Sequence, residues 1–205
     1  MDVIETKVFR EPWAVDRRLK ELGLNRAGLL AVRDVALHES SNATAFHPAN
    51  AAGTLAYQHG TWSLRDQFVS DEWADDRAGG VETIRNDTLK LRVAFSNVDL
   101  ACNDSHNPKP RSNKGAGAER VSGVVDLFRD LPSYAPRPSS EWALFYLMVD
   151  ENGYAELTRP VVKNGTFVAA IERIYLWTGD DDDDGFSVTD DGVADNFDPQ
   201  ITRKQ

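Results

Sequence analysis

The longest unbroken apolar run in the chain is Trp142-Ala-Leu-Phe-Tyr-Leu-Met-Val149, bounded by Glu141 and Asp150. A strand with one wet face would alternate apolar and polar residues. This run does not alternate, and it is too short to cross a bilayer. It predicts a central strand covered on both faces. Upstream, the spacing is helical. Val15, Leu19 and Leu22 recur at i, i+4 and i+7, Pro12 suits a first helical position, and Gly23 is a stop. Asn25 is placed to cap a second helix, from Arg26 to about His38. Leu29, Leu30, Val32, Val35, Ala36 and Leu37 cover much of its circumference, which predicts burial. Residues 39–60 are rich in Ser, Asn and Gly and read as a loop, with a short helix between Ala49 and His59. Thr61 caps a further helix, Trp62 to Val69, and residues 70–80 read as an acidic loop ending in glycine.

From Val81 to Cys102 the period becomes two. Leu89, Leu91, Val93 and Phe95 alternate with Lys90, Arg92 and Ala94, as in a half-buried strand. The apolar parity then moves to Val98, Leu100 and Cys102, which predicts a bulge at Ser96-Asn97. Asn103 to Glu119 is a polar loop. Arg120 to Leu131 fits a strand or a short helix, and Pro132, Pro136 and Pro138 stiffen the link that follows. After the central run, Asp150 to Gly153 is a turn. Tyr154 to Thr158 returns as an antiparallel strand, which Pro160 ends or places at an edge. Lys163-Asn-Gly165 is a second hairpin turn. Thr166 to Trp177 fits either period, and its β-branched and aromatic content favours a strand. The fold class is α+β: N-terminal helices packed on a mainly antiparallel sheet, with an acidic C-terminal tail. Residues 1–178 form one domain and 179–205 a disordered tail.

Charge changes this picture in one place. The chain of 205 residues carries a formal net charge of −10, and residues 180–198 hold nine Asp and no Lys or Arg. Those nine charges leave the body close to neutral. The balance argues against general affinity for nucleic acid or an anionic membrane. Cys102 is the only cysteine, so no intramolecular disulfide forms. With no apolar signal core at the N-terminus, this points to a reducing, cytoplasmic setting.

Four groups of residues could carry chemistry. The loop from Asn107 to Arg120 sets Lys109, Arg111, Lys114 and Arg120 against the single acid Glu119. Gly115 and Gly117 beside these cations would let backbone amides approach an anion, although the phosphate-loop pattern is absent. As divalent-metal ligands the candidates are His47, His59, Asp99, Cys102 and His106, without a tight paired motif. Asp150, Glu156 and Lys163 approximate the carboxylates and lysine of a metal-dependent nuclease. In the tail, Asp191, Gly192, Asp195 and Asp198 match the spacing of half a thrombospondin type 3 calcium repeat. That resemblance spans about twelve residues, and Ser187 and Thr189 stand where the pattern has Asp.

The expected function is a binding or accessory protein without evident catalytic machinery, with a protein partner or a small anionic ligand. The alternatives are a metal-dependent hydrolase or nuclease, and an acidic nucleic-acid mimic. Three structural expectations follow. Residues 39–60 and 103–120 should share one concave surface, Trp142 should be a core residue where Trp73 is not, and the tail should approach the basic loop.

Overall fold

A computed structural model describes residues 5–122 and 142–179, apart from the side chains of Arg120 and Ser122. Four helices and seven strands lie in these residues. In chain order they are β1 (Lys7–Phe9), α1 (Pro12–Glu21), α2 (Arg26–Ser41), α3 (Ala51–Phe68), β2 (Ala74–Ala78), β3 (Val81–Asn86) and β4 (Leu91–Asn97). Then come α4 (Ala116–Ser122), β5 (Ala143–Val149), β6 (Ala155–Lys163) and β7 (Thr166–Trp177). The strands form one sheet in the order β1-β7-β6-β5-β4-β3-β2, so the long apolar run supplies its middle strand. The sheet is mixed. Four neighbouring pairs are antiparallel, while β4–β5 at the centre and β1–β7 at one edge are parallel. A parallel pair needs a crossover, and the chain between Asn97 and Ala143 supplies it. The carboxyl ends of β4 and β5 therefore open at the same edge of the sheet.

Both faces of β5 are buried. Phe145, Leu147 and Val149 join the core beneath α1–α3, with Val15, Leu19, Leu29, Val32, Leu64 and Phe95. Leu144, Tyr146 and Met148 join a smaller core on the other face, with Ala94, Val98, Ala101, Ala118, Val162 and Phe167. Asn25 caps α2 as expected, its side chain accepting from the Gly28 amide at 2.7 Å.

Several expectations fail for physical reasons. Residues 51–68 form one continuous helix, where the sequence suggested two. Gly60 reads as punctuation, yet it is the point where α3 lies against the sheet: a Cβ there would stand 2.7–2.8 Å from the Phe95 ring. The expected acidic loop contains β2, an edge strand whose exposed Asp75 and Arg77 suit a wet margin. No bulge interrupts β4. Its pairing with β5 is regular, and Val98 continues the even-numbered face that Ala94 and Ser96 already occupy. Apolar residues of both parities appear because both faces are covered. Pro160 does not end β6, which continues to Lys163 against β7; the other alternative holds, because pairing with β5 stops at Thr158 and Pro160 stands at a local edge. Pro160 is tolerated because β6 has passed the residues that pair with β5 and sits at a register shift against β7.

Trp73 is the core tryptophan: it is 2% exposed, and its indole N–H donates to the Gly23 carbonyl at 3.0 Å. Trp142 is half-buried just before β5, with the Arg92 guanidinium 4.1 Å from its ring centroid. The acidic tail beyond Gly179 and the proline-rich link lie outside the described residues. No helix among the described residues is long and apolar enough to cross a membrane.

Candidate functional site

Two cations meet the second face of the sheet, Arg173 buried on β7 and Lys114 half-buried in the segment 98–118 that forms much of its cover. Arg173 and Glu156 are neighbours across β6 and β7. Their side chains are 3% and 0% exposed, joined by Nε to Oε1 at 3.0 Å and by Nη2 to Oε2 at 2.6 Å. The remaining capacity of the pair is filled locally. Glu156 accepts from the Cys102 amide and the Thr158 hydroxyl, each at 2.7 Å. Arg173 donates to the carbonyls of Asn103 at 2.7 Å and His106 at 3.1 Å. The pair thus pins the start of the long loop to the sheet.

Lys114 stands in a different situation. Its ammonium lies 5.3 Å from the Tyr146 ring centroid and 5.7 Å from that of Phe167, and donates to Ser96 Oγ at 2.8 Å. No carboxylate of the described residues pairs with it. Burial alone lowers its pKa, to about 8. Tyr146 is 1% exposed, and its hydroxyl has no hydrogen-bond partner among the described residues. These groups border a hollow of about 180 Å³ at the carboxyl edge of β4. Tyr57 of α3, Val81, Phe95, residues 112–115 and Ala118 complete its wall. Burial pushes the hydroxyls of Tyr57 and Tyr146 up, so both remain protonated donors at neutral pH.

A second hollow, of about 280 Å³, lies beside it beyond the carboxyl ends of β4 and β5. Ser40, Ser41, Gly53, Asn97, Arg111 and Asp150 line it. It is larger, but its charges are already matched. Arg111 pairs with Glu151 at 2.6 Å. The Asp150 carboxylate accepts from the amides of Ala101, Asn152 and Tyr154 at 3.1, 2.9 and 3.1 Å. Residues of both the 39–60 and 103–120 segments line these two hollows, as expected, although α2 and α3 supply the first segment's contribution rather than a loop.

Among the described residues, the cations of the basic loop do not gather on one surface. Lys109 is exposed, and its amide donates to Asp99 at 2.8 Å. Arg111 turns toward Glu151, and Lys114 turns inward. Gly115 borders the smaller hollow. Gly117 has a structural role: it lets α4 touch the β2–β3 turn, and a Cβ there would overlap the Gly79 carbonyl. Arg120 belongs to α4, and its side chain lies outside the description.

The metal candidates fall in separate places. His47 Nδ1 accepts from the Thr44 amide at 3.0 Å, and His59 stands 3.8 Å from Glu39. His106 pairs with Asp99 at 3.0 Å. Burial, and then the nearby Glu156 charge, push the Cys102 thiol up, so it stays protonated and is a poor ligand. Among the described residues, no three His, Cys, Asp or Glu side chains are grouped to hold an ion. The nuclease-like trio is also dispersed: Asp150 caps a turn, Glu156 is paired with Arg173, and Lys163 lies at the opposite end of β6.

Sequence reasoning found Lys114 and Gly115 but missed Ser96, Tyr57 and Tyr146. One signal existed for Tyr146. A tyrosine inside a strand covered on both faces must bury its hydroxyl, and such a group usually finds a partner. Comparison with protein-family models, curated proteins and solved structures finds no match for this chain.

Proposed function

We propose that this protein binds a small carboxylic acid in the hollow formed by Lys114, Tyr146, Tyr57 and residues 112–115. The carrying observation is a half-buried ammonium that no carboxylate of the described residues pairs with, beside a buried hydroxyl that has no partner among them. Each is costly to leave unmatched, and one carboxylate group would answer both. The hollow's about 180 Å³ equals roughly six water volumes, which suits an acid of a few carbons. Val81, Phe95 and Ala118 offer apolar contact to its chain. This favours the binding-protein reading. The hydrolase reading has less support, because its candidate residues are dispersed or already paired, and the nucleic-acid-mimic reading rests on the tail, outside the described residues.

The test is calorimetric titration with oxalate, a small carboxylate without a reactive carbonyl. Full-length protein should bind it with stoichiometry near one. Lys114→Met should weaken binding at least about ten-fold, as expected for loss of a charge-assisted contact. Equal affinity in the two proteins would remove Lys114 from any binding role.

A further inference from the structure

We propose that Lys114 forms a reversible imine with a small 2-oxo acid held in this hollow. The inference rests on the carboxylate-binding reading above and adds covalent chemistry to it. The Ser96 hydroxyl lies 3.2 Å from the Asn97 carbonyl, to which it donates. Lys114 donates to Ser96 Oγ at 2.8 Å, and a neutral amine that donates one N–H there keeps its lone pair for another contact. The rings of Tyr146 and Phe167 keep bulk water from the side of the amine that they cover.

Burial makes the neutral amine accessible. With a pKa of about 8, roughly a tenth is unprotonated at pH 7, on the order of a hundred-fold more than for an ordinary lysine. The ring faces of Tyr146 and Phe167 act in the other direction, favouring the ammonium.

The step balances without an oxidant or reductant. The Lys114 nitrogen adds to the ketone or aldehyde carbon, forming a C–N bond while the carbonyl π pair moves to oxygen. That oxygen takes up the proton that nitrogen releases. The carbinolamine then loses its hydroxyl with a second proton as water, and the nitrogen lone pair completes the C=N bond. The ligand's carboxylate remains one carbon away from the new imine and within the hollow that Tyr146 lines. Small oxo acids are favoured over plain aldehydes because they present an anion to the protonated hydroxyls as well as an electrophile to the amine.

The experiment treats full-length protein with glyoxylate and cyanoborohydride at pH 7, then maps carboxymethyl-lysine by peptide mass spectrometry. Lys114 should be modified at least about ten-fold faster than Lys7, Lys20, Lys90, Lys109 or Lys163, because its neutral fraction is far larger. Added oxalate should suppress that modification, and no variant is needed for this readout. Even labelling of all lysines, with oxalate still binding, would overturn the imine and leave the binding reading intact. Failure of oxalate to bind, together with even labelling, would remove both. Selective labelling that oxalate does not suppress would also overturn the inference, since it places the reaction outside the hollow.

Discussion

Arg173 and Lys114 are cations on the same face of one sheet, the first buried and the second half-buried, and they are treated in opposite ways. Arg173 meets a carboxylate through two hydrogen bonds and two carbonyls through a third nitrogen. Lys114 meets one hydroxyl and two ring faces. The first arrangement is complete and holds the long loop in place. The second has no countercharge among the described residues, so it costs stability and leaves capacity for a ligand. On this sheet, a satisfied buried charge marks scaffold and an unsatisfied one marks a candidate site.

The contrast can be broken most strongly at Glu156. Glu156→Ala should lower stability by about 3–5 kcal/mol, because Arg173 would be left buried without its carboxylate. A denaturant midpoint unchanged from wild type would show that the pair is not an anchor.

Lys114→Met should act in the opposite direction, raising stability at pH 7 by on the order of 2–3 kcal/mol. The sign follows from the direction of the shift. The folded pKa of about 8 lies below the unfolded value of about 10.4, so the unfolded chain binds the extra proton. The penalty is full below about pH 8 and fades as pH rises toward about 10. The gain in the variant should fade over the same window. Chemical denaturation at pH 7 and pH 10 measures this, and a gain independent of pH would assign the effect to packing.

Gly117→Ala sharpens the comparison from the cover of the hollow. The added methyl would overlap the Gly79 carbonyl, displacing α4 from the β2–β3 turn at a cost of about 1–3 kcal/mol. Oxalate binding should weaken as well, because α4 carries Ala118 of the wall. Unchanged stability would mean that the two backbones need not touch. The smallest effect is expected at Asp104. Its carboxylate is held below the usual range by Arg10 and then by the Tyr175 hydroxyl, but it is largely exposed. Asp104→Asn should cost only about 0–1 kcal/mol in thermal or denaturant unfolding. A loss comparable to that of Glu156→Ala would erase the distinction between exposed and buried pairs.

Local pattern determined a good deal of this protein. The run of apolar residues at 143–149 specified a strand with no wet face, and that strand is the middle one of seven. Asn25, Pro12 and the turn at Asn164-Gly165 acted through short-range backbone chemistry, so their roles were legible from neighbours alone. Tertiary structure decided what depended on distant partners. Gly60 is a contact with Phe95 rather than a break, and Pro160 is tolerated where pairing with β5 has ended. Trp73 lies among acidic neighbours in sequence but packs beneath the helices. The same holds for the candidate site. The sequence marked Lys114 as one cation in a basic loop. Only the crossover between parallel β4 and β5 brings it to Ser96 and Tyr146 on two separate strands. The partners that set the charge, solvation and hydrogen bonding of a half-buried amine come from across the fold, and no local spacing encodes them.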